Sequence, residues 1–262
     1  MEQTKIDRIK AAVRANFEQS PDMYKKFEDE HAFFWKLNER LLRLMAPPHG
    51  AYILDVGCGT GASCVQILDA VPGSRVLGLD ISPAMLEQAR TAIGESERLT
   101  LVEGDASRLA DYCDDKFDAI VYSASIFLIP DFRESLVQAR SLLKVNGVVG
   151  LTFMDGLFDR DGNNVIAEAD RSAGEGVSVR KPVRIDEFQT FFSEIFPDCR
   201  QETAEIRLSL DILKKFFSIP AMSAGLFPAV EYHERVRKIA RIFDHIRDHE
   251  PIFRWLLMVG RK

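Results

Sequence analysis

Two rhythms of apolar spacing divide the chain. Between residues 4 and 45 apolar positions recur every third or fourth residue, so TKIDRIKAAVRANFE (4–18) predicts one helix and DMYKKFEDEHAFFWKLNERLLRLM (22–45) a long amphipathic second one. Ser20-Pro21 separates the two, and Pro47-Pro48 with Gly50 ends the second. From residue 51 the apolar positions run together in short blocks: AYILDV (51–56), RVLGLD (75–80), LTLVEG (99–104), FDAIVYS (117–123) and VVGLTFM (148–154). Between them TGASCVQILDAV (60–71), SPAMLEQARTAI (82–93) and DFRESLVQARSLL (131–143) have helical spacing. Ser82 is placed to cap its helix, Pro83 takes the first position and Gly94 ends it. Continuous apolar strands alternating with helices predict an α/β fold, a doubly wound parallel sheet buried on both faces.

The rest of the chain is less regular. Residues 155–184 are rich in Gly, Asp and Asn and read as a long loop. DEFQTFFSEIF (186–196) predicts a helix and residues 199–208 a strand. LDILKKFF (210–217) and 229–249 are helical, joined by the breaker-rich SIPAMSAGLFP, and FRWLLMVGRK closes the chain as a strand. There is no internal repeat, low-complexity tract or clear linker. The expected organisation is an N-terminal helical cap at 1–48, a core from 49–209 and 251–262, and a helical insertion or lid at 210–250.

Composition excludes several classes. The 262 residues are 46% hydrophobic and 28% charged, ordinary for a soluble globular protein. No apolar run approaches the roughly 18 residues of a membrane span, and MEQTKIDRIK has no signal core. A net charge of −6 gives no general pull toward nucleic acid, so none is expected as a partner. Cys58, Cys64, Cys113 and Cys199 form no CxxC pair and read as the reduced thiols of a cytoplasmic protein. The five histidines are scattered, and no metal site is expected.

Chemistry concentrates in ILDVGCGTGAS (53–63). A strand, a Gly-rich turn and a helix start make a nucleotide site: the helix offers unpaired N–H groups, and glycines let a ligand reach the backbone. Asp80 ends the second strand about 20 residues on, where a carboxylate takes both hydroxyls of a ribose. The spacing Gly57-x-Gly59-x-Gly61 is one residue shorter than the dinucleotide pattern. Asp55, just before it, would repel a pyrophosphate and welcome an ammonium group.

LDVGCGTG, then GLDIS, VEGDA and FDAIVYS, resembles the class I S-adenosylmethionine (SAM)-dependent methyltransferases over residues 50–154, and most closely the small-molecule group that includes quinone-biosynthesis enzymes. The resemblance implies a Rossmann-like seven-stranded sheet whose last strand is antiparallel and inserted between the fifth and sixth. It implies that Asp55 and the backbone of Gly57, Cys58, Gly59 and Gly61 hold the methionine end of SAM. Asp80 would take the ribose, Ile81 and Met85 would line ribose and adenine, and Asp105 with the Ala106 N–H would meet the adenine. The Ser123 carbonyl would accept from the SAM ammonium. Asp105 as a plain turn residue, Ser123 as a strand end and Met85 as core stay open.

Methyl transfer needs an in-line acceptor, a dry pocket and sometimes a base. The pocket is expected over the carboxyl ends of strands one, four and five. Two segments could roof it: Tyr24, Phe27, His31, Phe34 and Trp35 on one N-terminal helical face, and 210–250 with Phe216, Phe217, Met222, Phe227 and Tyr232. Tyr24 is the candidate for touching the SAM carboxylate or shielding the sulfonium. Base candidates are His31, His233 and Asp155. His245 and His249 share a predicted helix face but lack the glutamate of a zinc peptidase motif. Arg235, Arg237, Lys238 and Arg241 read as a solvated face. No acid at 122–125 stands where metal-dependent catechol enzymes place a ligand, and no Asn/Asp-Pro-Pro-aromatic motif is present.

The expected activity is metal-independent methyl transfer from SAM, leaving S-adenosylhomocysteine, to a small hydrophobic acceptor at O or C, by a monomer or homodimer. A SAM-binding sensor or inactive partner, a tRNA or protein methyltransferase and a nicotinamide dehydrogenase remain the alternatives.

Overall fold

The computed structural model describes residues 2–113, 115–178 and 183–262. Three helices lead: α1 (Glu2–Glu18), α2 (Pro21–His31) and α3 (Phe33–Met45). The alternating part follows as β1 (Tyr52–Val56), α4 (Ala62–Ala70), β2 (Arg75–Asp80), α5 (Pro83–Ile93), β3 (Leu99–Glu103), β4 (Phe117–Tyr122), α6 (Phe132–Leu142) and β5 (Leu143–Phe158). Then come α7 (Val165–Ala173), α8 (Ile185–Ile195), β6 (Asp198–Arg207), α9 (Leu210–Ser218), α10 (Pro220–Leu226), α11 (Tyr232–Phe243) and β7 (Ile252–Arg261).

The strands form one seven-stranded sheet in the order β3-β2-β1-β4-β5-β7-β6. β1 to β5 are parallel, and β7 runs antiparallel between β5 and β6. Successive side chains alternate between two cores. Ile53, Val76, Ala119, Val121 and Trp255 pack on one face with α3 and α4; Leu54, Leu77, Ile120, Tyr122 and Leu256 pack on the other with α6 and α8. Burial on both faces explains why the strands are unbroken apolar runs. Ser82 caps α5 by accepting from the Met85 N–H at 3.4 Å, as its place before Pro83 predicts.

Four expectations need correcting. The helix at 22–45 is two helices. Ala32 adopts the left-handed conformation (φ 49°), and Glu28 reaches across the break to accept from the Phe34 and Trp35 N–H groups. The bend drives Phe33 and Phe34 into Trp255, with ring centroids 5.8 and 6.0 Å away, which compensates an unfavourable alanine backbone.

The loop at 155–184 is partly regular. β5 continues to Phe158 because Leu157 and Phe158 pair with Phe253 and Ile252 of β7. Asn164 then caps α7, whose Val165, Ile166 and Ala169 are buried. Residues 179–182 of that stretch lie outside the described residues.

The breaker-rich link at 218–228 contains α10, opened by Pro220 at its first turn. Its Ala221 N–H donates to Ser20 Oγ at 3.0 Å.

The helix at 229–249 stops at Phe243, so His245 and His249 do not share a helix face. Its basic cluster is not wholly solvated either. Arg235 is buried and donates to Asn16 Oδ1, while Lys238 and Arg241 grip Glu175. No helix among the described residues is long and apolar enough to cross a membrane.

Candidate functional site

A cleft of about 1070 Å³, mouth included, lies at the carboxyl ends of β1, β2 and β4 and beside the turn after β3. It does not extend over β5 as expected. There Phe127 packs on Phe153 and Trp255 at centroid distances of 5.7 and 5.8 Å and fills the space.

The floor is the glycine turn between β1 and α4. Gly57 has φ +75°, and a Cβ there would stand 2.5 Å from Ser125 Cβ. Its N–H donates to the Leu79 carbonyl at 2.7 Å, and Ser125 Oγ donates to the Val56 carbonyl at 2.6 Å. The turn is thereby pinned to β2 on one side and to the segment after β4 on the other. Cys58 and Gly59 line the cleft; Gly61 does not, and supplies the left-handed residue from which α4 starts.

Asp80 lies in the cleft wall at the end of β2. Its Oδ2 accepts from the Gly59 N–H at 2.8 Å and its Oδ1 from the Ser82 N–H at 2.9 Å. Burial pushes its pKa up, opposed by these N–H donors. Ile81, Met85, Ala106 and Ser123 also line the cleft. Asp105 does so while capping the 3-10 turn Ala106–Asp111, with Oδ1 accepting from the Ser107 N–H. Its other oxygen is 3.0 Å from Lys10 Nζ, which also reaches Asp131 at 2.7 Å and Ser107 Oγ at 2.6 Å.

Asp55 is placed differently. It is fully buried and does not line the cleft. Ser63 Oγ and Cys64 Sγ donate to its Oδ2, and its Oδ1 has no hydrogen-bond partner. Burial, only partly opposed by the Ser63 and Cys64 donors, raises its pKa to about 6. It positions the start of α4 from behind the turn.

Tyr24 lines the cleft, stacked on Phe34 with centroids 5.2 Å apart and planes 8° from parallel. Burial raises its phenol well above the usual range, with Glu28, Asp80 and Asp55 adding to the effect. The three base candidates lie outside the lining. His31 packs its ring on Phe27, His233 stands exposed on α11, and Asp155 pairs with Arg254 across β5 and β7. From the Phe-rich insertion only Met222 reaches the cleft; Phe216, Phe217 and Phe227 are core.

Several lining residues escape a sequence reading. Lys10, Val13 and Phe17 come from α1, and Leu128, Ile129 and Pro130 from the segment after β4. Glu28, Asn38 and Gln66 line the cleft where α2 and α3 meet α4. Asn38 Nδ2 donates to Gln66 Oε1, and Gln66 Nε2 to the Trp35 carbonyl, both at 2.9 Å. Glu28 carries the one available signal: it sits on the apolar stripe Tyr24, His31, Trp35 at helical spacing, an acid where core is expected.

Residues 53–147 match the family model described as a methyltransferase domain. The chain is 31% identical over 164 residues to a trans-aconitate 2-methyltransferase of Enterobacter sp. (strain 638), a match covering 63% of this chain and 62% of that protein. It is 34% identical over 143 residues to a ubiquinone/menaquinone biosynthesis C-methyltransferase of Paracoccus denitrificans, covering 50% of this chain and 56% of that one. The chain thus spans less than two thirds of the length of these relatives. In fold it is similar to the YcgJ protein of Bacillus subtilis, with a TM-score of 0.61 and 18% identity over 86% of this chain and 97% of that one.

Proposed function

We propose, on the premise that residues 53–147 belong to the methyltransferase domain family, that this chain binds SAM in the cleft and methylates a small, apolar, uncharged acceptor at O or C. The observation that carries this reading is the cleft itself: a bare glycine turn beside the buried, N–H-anchored carboxylate of Asp80. The charge of the lining fits a cationic ligand. Glu28, Asp80 and Asp105 face the cleft, whereas Lys10, the one Lys or Arg among its described lining residues, is engaged by Asp105 and Asp131.

When bound, SAM supplies an electrophilic methyl group on a sulfonium. The chain's own work is then to hold the cofactor, exclude water and align the acceptor. Asp80 would hold the ribose, Ile81, Met85, Asp105 and Ala106 the adenine side, and the Gly57–Gly61 turn with Ser123 the amino-acid end. Val13 and Phe17 of α1, Leu128 to Pro130 and Met222 of α10 offer an apolar wall that favours an apolar acceptor. With Lys10 already paired, a tricarboxylate such as the acceptor named for one relative would find no free cation among these residues. In this reading residues 1–48 form the roof, joined from 210–250 by Met222, and 49–209 with 251–262 are the cofactor-binding core.

Calorimetry of the purified protein with SAM and S-adenosylhomocysteine tests the cofactor; binding of neither overturns the proposal. Incubation with methyl-labelled SAM and a cell extract tests the acceptor. Label in the solvent-extractable fraction is expected. Label in precipitated RNA or protein, or in water-soluble acids, overturns the acceptor class, and tight binding with no transfer to any fraction points to a sensor.

A further inference from the structure

The cleft has two ends. The sheet order β3-β2-β1 sets Asp105, just past β3, at one end, Asp80 between, and the glycine turn beyond it. Glu28, Trp35, Asn38 and Gln66 also line the cleft, and they are linked to the helix that starts from the glycine turn: Gln66 of α4 bonds Asn38 and the Trp35 carbonyl, and Glu28 bonds the Trp35 N–H. A ligand with adenine at Asp105 and ribose at Asp80 therefore carries its amino-acid end toward Glu28. This orientation rests on the SAM reading given above.

An ammonium group is held more strongly where an accessible carboxylate joins neutral acceptors such as the Ser123 carbonyl, and Asp55, which the sequence motif assigns to that end, is buried and does not line the cleft. Glu28 is the carboxylate that the fold brings into the cleft there. Its Oε2 accepts from the Phe34 N–H at 3.0 Å and its Oε1 from the Trp35 N–H at 2.6 Å. A carboxylate has about four lone-pair sites, so acceptor capacity remains. No ion pair among the described residues uses Glu28, and Lys36 exerts the weakest of the influences on it.

We infer that Glu28 binds the α-ammonium group of the cofactor's amino-acid end. It does so from a fixed position, because the first N–H groups of α3 hold both its oxygens. The same bonds place the start of α3, and with it Trp35, against the ligand. Burial without a paired cation raises the Glu28 pKa, opposed by the Phe34 and Trp35 N–H groups, so an arriving cation relieves a standing electrostatic cost. Burial raises the phenol of Tyr24, which lines the same cleft, and the charge of Glu28 adds to the effect.

A two-by-two binding cycle separates ammonium recognition from helix capping. S-adenosylhomocysteine and its desamino analogue are titrated calorimetrically into wild type and Glu28→Gln. The variant is expected to bind S-adenosylhomocysteine about tenfold or more weakly, the scale of one lost charged hydrogen bond, while the desamino analogue loses less than about twofold. Equal loss for both ligands overturns the assignment in favour of a purely structural cap. Unchanged affinity for both overturns it too, and a fall in turnover alone would make Glu28 a base. Glu28→Asp, which keeps the charge but shortens the reach, replaces Glu28→Gln if that variant does not fold, with the same expected contrast. If wild type binds S-adenosylhomocysteine but the cycle shows no coupling, only this inference fails; if wild type binds neither ligand, the SAM reading fails with it.

Discussion

Lys10 Nζ lies 3.0 Å from Asp105 Oδ2, so the first helix is tied to the Asp105 end of the cleft by residues 95 positions apart. Desolvation alone would lower the Lys10 pKa, yet Asp131 and Asp105 together raise it, and the ammonium stays charged. Lys10 therefore acts as a latch that holds α1, with its cleft-lining Val13 and Phe17, in place. Partly exposed pairs of this kind are worth about 0.5–1 kcal/mol. Lys10→Met is accordingly expected to release bound S-adenosylhomocysteine about two- to fivefold faster. Trp35 lines the same cleft and gives a fluorescence signal for stopped-flow measurement. A dissociation rate equal to that of wild type would show that α1 is held by its other contacts.

Asp80 serves both ligand and loop. Asp80→Ala is expected to weaken SAM binding by roughly 1.5–3 kcal/mol, the scale of lost charged hydrogen bonds. It also strips the Gly59 and Ser82 N–H groups of their acceptor, so the melting temperature of the free protein should fall. Calorimetry and thermal unfolding read the two effects separately. Unchanged affinity would remove the ribose assignment even if stability dropped.

Gly57 is constrained in two independent ways. Its positive φ costs any L side chain about 1–2 kcal/mol, and the added methyl would collide with Ser125 Cβ. Overpacking of this kind adds about 1–3 kcal/mol. Gly57→Ala should therefore lose stability by the sum of both, and the double variant Gly57→Ala/Ser125→Gly should recover only part. Denaturant melts of the two proteins check this; full recovery in the double variant would mean that backbone strain contributes nothing.

The sheet was legible because burial on both faces writes each strand as an unbroken apolar block, and the glycine turn with Asp80 because a strand followed by closely spaced glycines leaves the backbone few alternatives. The left-handed residue at position 32 was not, since alanine carries no local preference for it and tertiary packing of Phe33 and Phe34 imposes the break. α10 hid behind Pro220, which ends a helix as readily as it begins one. Lys10 and Glu28 sit in charged runs that look like solvated faces, IDRIK and FEDEH. Only the folding of α1 to α3 over the sheet turns those two side chains inward. Asp55 illustrates the opposite error: a motif position identifies an acid without saying which side of the turn it faces.

That burial gives Asp55 a measurable signature. Its pKa rises from 3.8 unfolded to about 6 in the folded protein. Between these values the folded state binds more protons than the unfolded chain, so the Asp55 contribution to stability falls as pH rises through about 6. Integrated from pH 5 to pH 7, the two pKa values give a loss of about 1 kcal/mol. Every other titrating group is shared with Asp55→Asn, so the stability difference between wild type and that variant isolates the effect. Urea unfolding at pH 5, 6 and 7 should show wild type losing ground steadily to Asp55→Asn. A flat difference would mean that Asp55 is ionised in both states across this range and that burial does not raise its pKa.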